Sequence, residues 1–428
     1  MSLAFFWIFL LLMICGLPVM FALIIAPSLS LMIDGQANFF TLLMTRMYKG
    51  IGNFPLMAIP FFILAGEMMN AGQITVNLVR LSQSLIGHVR GGLAQVNILS
   101  SILFAGLSGS AVADTSALGS MLIPAMEKNG YTRRFAAAVT AASSVIGPII
   151  PPSGIMILYA FIMNVSVGGL FAAGIVPGLL VGFGLMLVTT YLARVRNYPV
   201  ASRKATWGER GVAFKDAFLP LLTPVILLGG IIGGIFTPTE AAAVAAGYAV
   251  LLAVFVLRTL KVGDVPAVLY RAAVSSGVIL LLVGMAVSFA ALMTLSGAPV
   301  RLTNFVLSIS DNPLVLLFMV NILLFIVGMF LDAGPAILIL GPVLGPTFVG
   351  LGVDPLHFAI IMCVNVTVGL ATPPMGLVLF VAASLSGERV ERIALEMLPF
   401  LAVEVAVIFL ITFVPAISMT VPRLVGFA

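Results

Sequence analysis

Two short polar clusters interrupt long apolar stretches of this chain, and a double proline follows each. The clusters are Ser108-Gly-Ser110-Ala-Val-Ala-Asp114-Thr115-Ser116 and Leu331-Asp332-Ala-Gly334-Pro335. The double prolines lie in Gly147-Pro148-Ile-Ile-Pro151-Pro152-Ser153-Gly154 and in Gly369-Leu-Ala-Thr372-Pro373-Pro374-Met-Gly376. Adjacent prolines remove two N–H donors and push the preceding residue out of α geometry, so carbonyls around each break lose their helical partners. Freed carbonyls beside Ser, Thr, Asn or Asp oxygens suit a hard cation such as Na⁺, by the logic that governs Ca²⁺ and Mg²⁺. The half-helix that starts after each break presents unsatisfied N–H groups and a positive dipole end to an anion.

Each of these residues also has a plainer reading. The Pro-Gly pairs could only kink helices for packing. Asp114 and Asp332 are either functional intramembrane carboxylates or caps of the helix that follows. Ser108 and Ser110 could simply be small residues that let helices approach, and Asn365 and Thr367 could be interhelical hydrogen bonders. Arg301 is either a cation for a substrate carboxylate or a solvated loop residue. Glu67, Glu240, Glu396 and Glu404 are read as structural or subunit contacts.

What must position these residues is a segment that the chain contains twice. Residues 118–179 laid on 340–401 at a constant offset of 222 give fourteen identities without a gap, eight of them Gly or Pro. Apolar composition alone would match roughly a tenth of positions, mostly Leu and Ala. Paired helix breakers in two halves are the best sequence pointer to a secondary transporter's binding site.

With 61% hydrophobic and 8% charged residues, the chain has too little polar surface to be a soluble globular protein. It reads as an all-α polytopic membrane protein, whose apolar runs include 3–33, 170–192, 219–236, 241–257, 272–295 and 397–419. The first is long enough for two spans, and without a small-residue cleavage site it reads as a permanent membrane segment. The net charge of +5 sits in short loops, so it reports orientation and not a nucleic-acid partner. Cys15 and Cys363 are far apart and support neither a disulfide nor a zinc site.

The polar stretch Arg194–Asp216 carries six basic and two acidic residues, which makes it a cytoplasmic linker. It divides a first repeat, 1–193, from a second, 217–428. Counting spans onward puts 296–313 (Arg301 against Asp311) and 349–357 outside, and leaves the C-terminus outside as well. The matching loops of the first half, with Arg80, His88 and Arg90 and then Lys128, Arg133 and Arg134, read as cytoplasmic. Corresponding loops thus face opposite sides, the mark of an inverted repeat. Arg46 and Lys49 fit this scheme poorly.

Each repeat should hold a re-entrant hairpin (91–126 and 314–348) and a broken helix (136–163 and 358–381). In the first hairpin, arm 91–107 would reach about 26 Å and arm 117–126 about 15 Å, against a core of about 30 Å, so the tip should stay inside the membrane.

Several motifs together resemble the large membrane subunit of tripartite ATP-independent periplasmic (TRAP) transporters over nearly the whole chain. They are Ala65–Gly72 (AGEMMNAG), His88–Asn97 (HVRGGLAQVN), Gly106–Asp114, Gly147–Pro152, Phe236-Thr-Pro-Thr-Glu240-Ala-Ala and Thr372–Gly376. The resemblance implies an elevator-type, Na⁺-driven importer of organic acids, often C4-dicarboxylates or sialic acid, in a bacterial inner membrane. A periplasmic substrate-binding protein and a separate small membrane subunit would be its partners. It also implies two Na⁺ sites, each at one tip and the break after it. Carried onto this sequence these are Ser108, Ser110, Asp114, Gly147 and Pro151, and then Asp332, Gly334, Asn365, Gly369 and Thr372. The substrate would lie between them, near Ser108, Ser110, Ser153, Asp332 and Thr372, with Arg301 as a further contact.

Two other classes compete. Asp114 and Asp332 could form the dyad of an intramembrane aspartyl protease, although neither has a Gly-x-Gly-Asp context. The hairpins could also be packing devices of a passive channel or scaffold. No Walker motif is present, which argues against direct ATP drive.

Overall fold

The computed structural model describes residues 4–199, 203–310 and 312–427; Asp311, one of the loop charges above, lies outside them. Among the described residues there is no strand, and eight helices are long and apolar enough to cross a bilayer. The first apolar run folds into two helices, α1 (Ala4–Ile14) and α2 (Val19–Ile33), parted at Gly16-Leu-Pro18. Next come α3 (Phe40–Ile51), which carries Arg46 and Lys49, then α4 (Ala58–Ala71) and α5 (Ile74–Ile86).

The first hairpin is α6 (Gly92–Ser108) and α7 (Ala111–Lys128). Here the sequence reading needs correction. Ser110 caps α7, its hydroxyl accepting from the Ala113 N–H at 3.4 Å, so Asp114, Thr115 and Ser116 are helical and the tip is only Gly109-Ser110. The second arm has 18 residues, about 27 Å, and its length does not keep the tip from crossing. What the structure gives the tip is a packing partner. A Cβ on Gly109 would stand 2.6 Å from the Pro152 carbonyl oxygen, so the tip lies against the break in the next helix. That helix is α8 (Arg133–Ser144) with α9 (Ile146–Ile149), bent by 40° from α10 (Gly154–Met163).

Helix α11 (Val167–Val195) leads to the linker. The linker is shorter than its charge pattern suggests, because Thr206 and Glu209 form a capping box that starts α12 (Trp207–Ile232) twelve residues before the apolar run. The same device starts α13 (Pro238–Val250) after the turn. Thr237 accepts from the Glu240 N–H at 3.3 Å, the Glu240 carboxylate takes the Thr237 N–H at 2.8 Å, and Pro238 fills the first helical position. The Phe-Thr-Pro-Thr-Glu motif is thus a helix-start signal.

The second half runs through α14 (Val265–Leu295), α15 (Ala298–Ile309), the hairpin α16 (Pro313–Phe330) and α17 (Ala333–Gly350), and the broken helix α18 (Pro355–Gly369) and α19 (Leu377–Ser386). Helices α20 (Val390–Phe413) and α21 (Ala416–Val425) follow, parted at Val414-Pro415 within the last apolar run. The sequence offset carries over to the elements. Shifted by 222, α7 falls on α17 at both ends, and α8 starts where α18 starts.

The two halves exchange contacts. Helix α10 packs on α17 of the other half, and α19 packs on α7 and α8. Both hairpins and both broken helices thereby join into one body, with α11, α20 and α21 packed around it. A second group forms a frame, with α4 along α13 and α14, and α14 along α2 and α3. Glu67 pairs with Arg271 at 3.2 Å within this frame, while Glu396 bridges Arg134 (3.2 Å) and Arg196 (2.6 Å) within the first body. Helices α5 and α15 each lead from the frame to a hairpin.

Replacing Thr237 by Ala is expected to cost about 1 kcal/mol of stability, the usual worth of such a cap. A fall in the thermal midpoint of the detergent-solubilised protein checks this, and restoration by Thr237→Ser ties it to the hydroxyl.

Candidate transport site

At the first tip, Gly109 takes φ +59°, a left-handed conformation that L side chains rarely adopt. This turns Ser108 and Ser110 back toward α7. The Ser108 hydroxyl donates to Asp114 Oδ1, and the Ser110 N–H reaches Ser108 Oγ at 3.3 Å. Asp114 is fully buried, and its Oδ2 finds no hydrogen-bond partner among the described residues. That oxygen presses on the break: a Cβ on Gly147 would stand 2.5 Å from it. Pro151 and Pro152 stand four residues after Gly147 and Pro148, so these two carbonyls have no helical donor. Ser108, Ser110, Asp114 and Gly147 therefore converge. The Pro151 carbonyl faces Gly106, on α6 just before the tip. A buried carboxylate oxygen with no partner, beside a hydroxyl and carbonyls without helical donors, is a donor set that fits a hard cation.

The second tip is built differently. Asp332 stands where Ser110 stands in the first, and it caps α17, its Oδ1 accepting from the Ala333 N–H at 2.8 Å. The capping alternative thus holds for Asp332 and not for Asp114, which lies inside α7. Gly369 packs backbone to backbone on Gly328 of α16, where added Cβ atoms would stand 2.5 to 3.1 Å away. The Gly369 carbonyl accepts from the Thr372 N–H at 2.9 Å, and the Thr372 hydroxyl returns to the Val368 carbonyl at 2.9 Å. Asn365, one turn earlier, donates to Asn321 at 2.6 Å, and its own buried Oδ1 has no partner among the described residues. This half offers an orphaned amide oxygen where the first offers a carboxylate.

A cavity of about 350 Å³ lies between the two tips. Ser108, Ser110 and Pro152 of the first half and Asp332, Gly334 and Leu370 of the second line it, and Phe62, Ile63, Ile279 and Leu282 of the frame close it. The first residues of α7, α10 and α17 all reach its wall, so three helix N-termini converge there. Ser153 is buried beside the wall and caps α10 through the Met156 N–H. Thr372 is buried and does not line the cavity. Arg301 lies exposed on amphipathic α15 and is not brought to it either. Asp332 is the one charged side chain among the described lining residues.

Sequence reading missed the buried polar pairs that hold each hairpin to its broken helix. In the first half Asn97 donates to Thr140 at 2.6 Å and Ser101 to Ser143 at 2.9 Å; Thr115 donates to Ser144 at 2.7 Å. In the second, Asn321 accepts from Asn365 and from Thr412 at 3.2 Å. Single polar residues in apolar helices carry no spacing signal, so nothing marked Asn321 or Thr412. Glu67, Glu240 and Glu396 have the structural partners expected of them. Glu404 is fully buried in α20, and neither carboxyl oxygen has a partner among the described residues.

The profile of the tripartite ATP-independent periplasmic transporter DctM component matches residues 6–417. The chain belongs to this family. It is 38% identical over 416 residues to the sialic acid TRAP transporter large permease protein SiaM of Vibrio cholerae, covering 96% of each chain. It is 37% identical over 439 residues to the C4-dicarboxylate TRAP transporter large permease protein DctM of Rhodobacter capsulatus, covering 99% of each. The fold is shared with the YdaH transporter of Alcanivorax borkumensis, at TM-score 0.62 and 19% identity over 92% of this chain and 89% of that one. DctM-family proteins are multi-span transport components of bacterial membranes, not enzymes, which removes the protease alternative.

The tip geometry makes a contrast of two glycines informative. Gly109→Ala should lower the thermal midpoint by the equivalent of about 1–3 kcal/mol, through the left-handed φ and the clash with the Pro152 carbonyl. Gly154→Ala, with no atom within 4 Å of the added methyl, should leave it unchanged or raise it.

Proposed function

We propose that this chain is the large membrane subunit of a TRAP importer that carries organic acid anions, of the C4-dicarboxylate or sialic acid class, with Na⁺. The observation that carries this reading is the cavity between the two tips, where three helix N-termini meet one wall carboxylate. Helix N-termini favour an anion, while Asp332 repels it. A cation near Asp332 would cancel that repulsion, so anion and cation bind better together than apart. This is the physical content of symport.

One cation would lie at Ser108, Ser110, Asp114 and Gly147, where Asp114 Oδ2 lacks a partner, with the Pro151 carbonyl as a further donor. A second would lie at Asp332, Gly334, Asn365 and Gly369, with Thr372 holding the break. Na⁺ supplies the neutralising charge there, and the chain supplies the oxygen donors and excludes water. Arg301 has no part in this reading, since it stands away from the cavity.

The two halves are read as inverted repeats, with the 196–206 segment cytoplasmic and the C-terminus periplasmic, from the positive-inside pattern. The hairpins and broken helices would move as one body against the α4, α13 and α14 frame, which makes an elevator whose seam is the apolar wall of Phe62, Ile63, Ile279 and Leu282. A separate small membrane subunit and a periplasmic substrate-binding protein complete the assembly, as TRAP naming of the relatives suggests.

The test is uptake into proteoliposomes holding this chain and the small subunit, with binding protein outside, under imposed Na⁺ or H⁺ gradients. Na⁺-driven uptake is expected. Asp114→Asn should weaken the apparent Na⁺ affinity by about tenfold or more, since losing even an outer-shell partner costs a metal site that much. Drive by H⁺ alone, or normal uptake after Asp332→Ala with Ser110→Ala, overturns the assignment. Flux that needs no binding protein and follows the substrate gradient would point to a channel.

A further inference from the structure

A second cleft, of about 360 Å³, opens where the connector α5 meets the start of α12, apart from the transport cavity. Arg80, Ser84 and His88 line one side, and Arg203, Lys204 and Glu209 line the other. Glu209 offsets Arg203 alone, its carboxylate being taken by Arg203 at 2.6 Å and by the Thr206 N–H at 2.7 Å, so the charges of Arg80 and Lys204 remain. Arg80 and Lys204 have no ion-pair partner among the described residues, and the enclosed His88 Nδ1 has no hydrogen-bond partner. Outside the lining, Arg210 joins α12 to α5, its Nε donating to the Ser84 carbonyl at 3.2 Å while its guanidinium lies 5.1 Å from the centre of the Trp207 ring.

Beside this basic mouth the surface is apolar and bare. Trp207 is 84% exposed, and Phe214, Phe218 and Val225 continue the strip along the same face of α12, with Leu85 exposed on the α5 side. A soluble anion has no use for such a strip. A molecule with an anionic head and hydrocarbon tails uses both parts, and Trp is the side chain that favours the headgroup level of a bilayer. Clustered Lys and Arg at that level attract anionic lipid.

The geometry points to a binding site for an anionic phospholipid, with its phosphate among Arg80, His88 and Lys204 and its chains along the exposed face of α12. Because Arg80 belongs to α5 and Lys204 precedes α12, which packs on α13 of the frame, the headgroup would tie that side of the frame to the connector that leads into the first hairpin. Bound lipid would then stiffen that connector.

The experiment is thermal unfolding of the full chain in detergent, titrated with phosphatidylglycerol, with phosphatidylcholine, or with inorganic phosphate. Phosphatidylglycerol should raise the midpoint saturably, and the other two should not. Arg80→Gln with Lys204→Gln should raise the half-saturating lipid concentration by about fivefold per charge removed, while Arg80→Lys keeps the response. An equal response in the double variant and the parent overturns the site. A shift produced equally by inorganic phosphate overturns the lipid reading and assigns the cleft to a soluble anion.

Discussion

Backbone that leaves helical geometry inside a bilayer must find its hydrogen-bond partners within the protein, and this requirement organises the molecule. Pro151-Pro152 and Pro373-Pro374 open two such gaps. A hairpin tip then comes against the first, Gly109 lying on the Pro152 carbonyl and Asp114 on Gly147. At the second gap the chain wraps on itself. Gly376 fits under the Leu370 and Thr372 carbonyls, where an added Cβ would stand 2.9 and 2.7 Å from the oxygens, and the Val378 N–H reaches back to Leu370 at 3.0 Å. The cavity exists because these solutions leave room between them. Its polar character comes from helix ends more than from side chains.

Much of this could be read from the residues. The offset of 222 marks both breaks, because Gly and Pro report backbone geometry directly, and the polar clusters at 108–116 and 331–335 mark both hairpins. The arm lengths differ from the sequence expectation for a physical reason: Ser, Asp and Thr favour turns in water, so 108–116 reads as a loop. Burial changes that balance. Ser108 engages Asp114 and Ser144 engages Thr115, which lets both residues sit within α7. The linker was misjudged in the same way, since charge marked it polar while the Thr206 and Glu209 box made half of it helical. Arg301 drew attention as a cation near a transporter's loops, and only the course of α15 shows that it stands away from the cavity.

The two halves share a plan without sharing chemistry. Ser110 and Asp332 occupy equivalent capping positions, but the first half carries its carboxylate one turn further on, buried against Gly147, while the second carries it at the cavity wall. The hairpin-to-helix clamps likewise use Asn97 with Thr140 in one half and Asn321 with Asn365 in the other. A duplicated scaffold thus carries two inequivalent polar sets, of which Ser108 and Ser110 on one side and Asp332 on the other reach the cavity.

The exchange of contacts between halves also bears on how such a chain is made. The surface of α7 is complete once residue 128 is synthesised, yet its partner α19 begins at residue 377. At roughly 5–20 residues per second the ribosome needs on the order of ten seconds or more to close that gap. Through that interval the Ser108–Asp114 corner and the first proline break lack the helix that later covers α7. Lipid, an insertase or another subunit has to shelter them, so biogenesis, as much as transport, constrains which polar residues this membrane protein can bury.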